Sequence, residues 1–151
     1  LTQIYVDADA CPVREEVYRV AGRLGVGVFV VSNGSRPIRP PGLPYVEMVM
    51  VGDAMDAADD WIAERITAGD ICVTADIPLA SRCLEKGARV VPPNGKPFTE
   101  ANISSALAGR EIARHLREIS GVSRGPPPFS KADRSRFLSA LDNAVQAALR
   151  G

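Results

Sequence analysis

Histidine is nearly absent from the 151-residue chain, which holds a single one, His115, in a stretch with helical spacing. A lone imidazole on a helix supports neither a Ser-His-Asp triad nor a histidine-built metal centre. The three cysteines, Cys11, Cys72 and Cys83, form neither an even disulfide set nor a C-x-x-C pair, so they read as reduced thiols and not as a zinc site. Aromatic residues make up only 5% of the chain, too few and too scattered for a base-stacking platform, and Trp61 reads as packing at a helix flank. No apolar run approaches the roughly 20 residues that cross a bilayer. The N-terminal residues also lack a basic segment followed by an apolar one and a cleavage site, so a cytoplasmic protein without membrane contact is expected. With these chemistries set aside, carboxylates must carry any reaction.

What is present is the composition of an ordinary folded domain, 46% hydrophobic and 24% charged, at a length that suits one domain over residues 1–151. Residues 2–6 form a β-prone run that breaks at Asp7-Ala8-Asp9, and Pro12 opens a helix with Val13, Val17, Val20 and Leu24 at helical spacing. Residues 26–31 are almost wholly apolar and β-branched, as in a parallel strand buried on both faces. A Pro/Arg loop over 36–41 follows, then a strand at 45–51, a helix at 54–68, a strand at 71–74, a helix at 78–86 and a strand at 88–91. Residues 99–119 read as a further helix and 121–128 as a stiff connector. Ser130 and Asp133 then form a capping box that starts a last helix running to about residue 149. The alternation of strands and helices predicts an α/β fold of three layers, α/β/α, around a mostly parallel five-stranded sheet, with residues 121–151 a connector and C-terminal helix packed on or beside it.

In open α/β sheets ligands bind beyond the carboxyl ends of the strands, and that is where the aspartates fall. Asp7 and Asp9 follow the first strand. Asp53, Asp56, Asp59 and Asp60 follow the third, with the last three spaced to share a helix face, and Asp76 follows the fourth. Taken singly, Asp53 and Asp76 read first as helix N-caps, Asp70 as a turn residue, and Asp59 and Asp60 as a solvated face. Acids after three separate strands are harder to assign to capping alone. Converging carboxylates repel one another unless a cation intervenes, and oxygen-only ligands favour Mg2+ or Mn2+ over zinc. The set Asp7, Asp9, Asp56, Asp59 and Asp76 is therefore the expected metal and catalytic site. Two ions roughly 4 Å apart suit in-line cleavage of a phosphodiester.

The stretches Asp7-Ala8-Asp9-Ala10-Cys11-Pro12-Val13, Asp56-Ala57-Ala58-Asp59, residues 70–80, Asn94-Gly95, Gly125-Pro126 with Phe129, and Arg136-Phe137 resemble the bacterial YaiI/YqxD family over nearly the whole chain. That family is similar to PIN-like nuclease domains. The resemblance implies a central parallel sheet and an acidic Mg2+ or Mn2+ site in which Asp7 matches the first acid, Asp76 the later acid that opens a helix, and Asp56 or Asp59 the middle one.

Charge is balanced overall but not locally. Residues 1–95 carry 9 Lys/Arg against 13 Asp/Glu, a balance of −4, and residues 96–151 carry 9 against 5, a balance of +4. Arg14, Arg36, Arg39 and Arg82 fall near the presumed strand-end face, and Arg124, Lys131, Arg134 and Arg136 on the C-terminal connector and helix. Arg14, Ser32, Asn33, Arg36, Arg82, Arg124 and Lys131 are the expected nucleic-acid contacts, gripping backbone and shape more than bases. Ser32 and Asn33 serve equally as strand terminators, Asn94-Gly95 is a turn first, and Cys11 reads as a small residue in a tight turn. The expected function is metal-dependent phosphodiester hydrolysis, with RNA favoured over DNA and a homodimer compatible with the reading. Two alternatives stand beside it. One is a non-catalytic metal- and RNA-binding module. The other, a haloacid-dehalogenase-type phosphatase, is opposed by the absence of lysine before Lys86 and by Pro12.

Overall fold

The computed structural model describes residues 2–8, 11–34, 38–52, 56–105 and 130–151. In chain order these form β1 (Gln3–Asp7), α1 (Arg14–Leu24), β2 (Gly27–Ser32), β3 (Val46–Met50), α2 (Ala57–Arg65), β4 (Ile71–Val73), α3 (Ile77–Glu85) and β5 (Arg89–Val91). The helical residues 100–105 (α4) and the helix α5 (Lys131–Arg150) complete the order. The five strands make one sheet in the order β3-β2-β1-β4-β5, and every pairing is parallel.

Alternation along the central strands sorts side chains to two faces. Ile4 and Val6 of β1, Val28 and Val30 of β2, and Ile71 and Val73 of β4 share a core with Val17 and Val20 of α1 and Phe137, Leu141 and Val145 of α5. Tyr5, Val31 and Cys72 face the other way, onto Ile62 of α2 and Leu79 and Cys83 of α3. The result is three layers: α1 and α5 on one face of the sheet, α2 and α3 on the other. Because β1, β2 and β4 are covered on both sides, they need apolar residues at consecutive positions, which explains why their sequences do not alternate. The C-terminal helix contributes three core side chains, among them a fully buried Phe137, and each removes apolar surface worth roughly 1.5–3 kcal/mol.

Local chemistry sets the boundaries. α1 stops at Gly25, whose φ of 71° lies in the left-handed region. α3 starts where the Asp76 side chain accepts from Leu79 N, with Pro78 in its first turn. The Ser130–Asp133 capping box forms at α5 with both reciprocal hydrogen bonds present. α2 ends at Arg65, short of residue 68, because Asp70 captures the chain: its Oδ2 accepts from Thr67 N and Thr67 Oγ1, both at 2.9 Å. Asp70 Oδ1 also accepts from Gln3 N at 3.0 Å, so this buried turn residue ties the start of β1 to the approach of β4. The expected helix over 99–119 is seen as 100–105; its remainder, with His115 and the connector at 121–128, lies outside the described residues.

Candidate functional site

The sheet order places a switch point at its centre. From β1 the chain moves outward to β2 and β3, then returns across β1 to β4 and on to β5. The connections leaving β1 and β4 therefore diverge, and a crevice opens beyond their carboxyl ends. Asp7 is the last residue of β1, and Thr74 directly follows β4. Thr74 Oγ1 donates to Asp7 Oδ2 at 2.9 Å and accepts from Asp76 N at 3.0 Å, while Asp76 Oδ1 caps α3 through Leu79 N at 3.0 Å. A single buried hydroxyl thus joins the acid of the first strand to the acid of the fourth.

Asp59 enters from α2. Burial pushes its carboxyl up from 3.8 to about 6, and the charges of Asp76, Asp7 and Asp56 push in the same direction, opposed only in part by Arg82. Three of the other four expected acids are therefore within electrostatic reach of Asp59. Asp9, the fifth, lies outside the described residues, as does Asp53. The acids on α2 do not act as one face: Asp56 is an exposed N-cap with no side-chain capping bond, Asp59 is half-buried, and Asp60 turns to Arg82 on α3 in an ion pair of 2.8 Å. Among the described residues no group of three or more His, Cys, Asp or Glu side chains is disposed to hold a metal ion. The donors at the crevice are carboxylate and hydroxyl oxygens, the set suited to a hard divalent ion, and Asp59 is raised first by burial and then by repulsion from its neighbours, of which such an ion would relieve the second.

The basic residues divide by layer. Arg82 lies on α3, behind one face of the sheet, whereas Arg14 on α1 and Lys131, exposed at the first position of α5, belong to the opposite layer. Arg14 donates weakly to the carbonyls of Ala8 and Cys11, at 3.4 and 3.5 Å, bracing the turn that follows Asp7. Arg36 and Arg124 lie outside the described residues. Ser32 is buried and its hydroxyl accepts from Gly34 N at 3.0 Å, a strand-ending turn, with half-buried Asn33 beside it. Cys11 is buried and its thiol is pushed up to about 11, chiefly by burial, so it is no thiolate at neutral pH. Asn94-Gly95 docks on α5: Arg136 Nε donates to Asn94 O at 3.3 Å.

The residue that sequence reasoning missed is Thr74. The one available signal was its position, two residues before Asp76 and directly after an apolar strand, but a β-branched residue at a strand end is ordinarily just that. Only the pairing of β1 with β4, which sets Val6 against Val73, brings its hydroxyl to Asp7.

Comparison with known proteins gives a consistent result. The family described as "Uncharacterized BCR, YaiI/YqxD family" matches residues 5–147. UPF0178 protein amb2838 of Paramagnetospirillum magneticum is 57% identical over 150 residues, covering 99% of this chain and 98% of that protein. UPF0178 protein RC1_2062 of Rhodospirillum centenum is 56% identical over 155 residues, covering 100% of this chain and 99% of that one. No solved structure matches the chain. Among the described residues no helix is long and apolar enough to cross a membrane.

Proposed function

The chain belongs to the YaiI/YqxD family, and from that premise and its strand-end carboxylates we propose that it is a Mg2+- or Mn2+-dependent nuclease acting on RNA or DNA, RNA by preference. The observation that carries this reading is geometric: at the switch point of a parallel sheet one buried hydroxyl, Thr74, links Asp7 at the end of β1 to Asp76 at the start of α3, and half-buried Asp59, its carboxyl raised by burial and by those same acids, lies within their electrostatic reach. Bound there, a hard divalent ion would supply charge neutralisation for the scissile phosphate and a more acidic attacking water. As they stand Asp7, Asp59 and Asp76 are not grouped to hold an ion; on this reading their side chains would close on it when it binds, with Asp56 at the start of α2 and Asp9 two residues after Asp7 in sequence. Thr74 orients Asp7 by donating to Oδ2 and fixes the start of α3 by accepting from Asp76 N. The chemistry thus has oxygen donors from β1, α2 and the β4–α3 turn, with one hydroxyl keeping two of those elements in register.

Purified protein should cleave at least one member of a panel of single- and double-stranded RNA and DNA when Mn2+ or Mg2+ is supplied. Asp7→Asn and Asp76→Asn should each lower the rate by at least about 100-fold, the scale of losing one element of electrostatic stabilisation. A panel left intact by well-folded protein with both metals rejects the reading, as does full activity in the Asp7→Asn/Asp76→Asn double variant.

A further inference from the structure

A second concavity lies on the α1/α5 side of the sheet, one turn of chain away from Asp7. It has a volume of about 720 Å3 and lies between the start of α1, the Arg39–Gly42 loop and the first turn of α5. That volume falls in the range of ligand pockets. Its wall brings together three arginines from three distant parts of the sequence, Arg14, Arg39 and Arg134, with Glu15 and Glu16 beside them. Arg134 is committed to Glu16, NH1 to Oε1 at 2.5 Å, which leaves Arg14 and Arg39 as the cationic excess over exposed Glu15. The start of the 11-residue helix α1 lies here too: its N-cap Val13 has no side-chain acceptor and both Pro12 and Arg14 line the concavity, although Glu15 and Glu16 in its first turn offset part of its positive end. Arg39 precedes Pro40 and Pro41, which restrict its backbone, so engaging a ligand costs mainly the rotamer entropy of its own side chain. Glu16 is 6% exposed, and its Oε2 is a buried acceptor with no hydrogen-bond partner among the described residues. Such an atom asks for a donor, and a small turn of the carboxyl would present it to a ligand hydroxyl or amino group.

We propose that this concavity binds the terminal phosphate of a 5′-phosphorylated nucleotide, with Arg14, Arg39 and the start of α1 on the phosphate and Glu16 on a sugar hydroxyl or base amino group. Two guanidinium groups and a helix N-terminus suit a dianionic monoester better than the single charge of an internal diester. The buried Glu16 acceptor on the wall is what separates a nucleotide from bare phosphate. Cys11 lines the concavity and lies four residues after Asp7, and Arg14 reaches back to the Ala8 carbonyl, so a strand whose 5′ end sits here continues toward the acid crevice. The inference rests on the nuclease reading only in taking the ligand to be a strand end; a free nucleoside monophosphate has the same recognition chemistry.

The test is equilibrium binding by the full chain in EDTA, where no metal-dependent cleavage occurs, with inorganic phosphate, adenosine, 5′-AMP, and one oligoribonucleotide carrying either a 5′-phosphate or a 5′-hydroxyl. Expected are AMP binding at least about tenfold tighter than both adenosine and phosphate, and a similar preference for the phosphorylated strand, the scale of a charge-assisted hydrogen-bonded contact. Arg39→Ala and Arg14→Gln, with thermal midpoints measured alongside, should each remove most of that preference. Equal binding of phosphorylated and unphosphorylated ligands overturns the inference, as does a preference that survives the Arg14→Gln/Arg39→Ala double variant. Phosphate binding as tightly as AMP overturns its nucleotide part. A chain that binds with this preference but cleaves nothing in Mn2+ refutes the nuclease reading alone; one that cleaves without the preference refutes only the present inference.

Discussion

At Asp59 the fold opposes ionisation of a carboxylate that water would leave charged. The ordinary value of 3.8 rises to about 6, so between those limits the folded chain keeps a proton that the unfolded chain has released. Stability contributed by this residue therefore falls as pH rises through that window and stays low above it. Asp59→Asn removes the titration. The side chain is half-exposed and its interactions are screened, so the variant should gain on the order of 1 kcal/mol at pH 7 to 8, or roughly 2–4 °C in thermal midpoint. The gain should vanish below about pH 4, where both side chains are neutral. Mg2+ or Mn2+ should raise the midpoint of the wild type and leave that of the variant nearly unchanged. A variant no more stable than wild type in EDTA at pH 8 would show that neither burial nor the neighbouring acids oppose the Asp59 charge.

Among the elements, the turn after β5 is held by close packing on α5 as well as by the Arg136 hydrogen bond to Asn94 O. Gly95 has a φ of 77°, and a Cβ there would lie 2.4 Å from the Arg136 carbonyl carbon and 2.5 Å from Phe137 N. Neither atom is the end of a flexible side chain; both are helix backbone. Gly95→Ala must push the turn off α5 and should cost more than about 2 kcal/mol, combining left-handed strain with overpacking. At Gly25, with φ 71° and no described residue within 4 Å of the added Cβ, the same change should cost only about 1 kcal/mol. Denaturant midpoints read the comparison directly, and equal losses at the two sites would mean that the turn does not pack on α5 as described. This element also shows why Asn94-Gly95 reads from sequence as a simple turn: the dipeptide announces positive φ but says nothing about the helix, some 40 residues later, that lies against it.

For the molecule as a whole, α5 is a structural wall. Phe137, Leu141 and Val145 are fully buried in the same core as β1 and α1, and Arg134 to Glu16 and Arg23 to Asp142 tie the two helices at their surfaces. Phe137→Ala should therefore lower the unfolding free energy by about 3–5 kcal/mol, the cost of a large cavity in a close-packed core, in a single cooperative transition. A loss near zero would mean that α5 is an appendage to an independently stable sheet. Much of this architecture is legible in the sequence, because alternation of apolar runs with amphipathic segments, the Pro and Gly punctuation and the Ser130–Asp133 capping box are local properties encoded within a few residues of one another. The same locality marks Asp7, Asp59 and Asp76 as acids at strand and helix ends. What no local pattern contains is the order β3-β2-β1-β4-β5, which pairs strands about 67 residues apart and so brings the Thr74 hydroxyl to Asp7. Nor does it contain the packing of α5 on α1, which gathers Arg14, Arg39 and Arg134 around one concavity while Arg82 remains behind the opposite face. Hydrophobic periodicity tells each element which side to bury. The choice of partner depends on long-range burial summed over the whole chain, and only the folded molecule settles it.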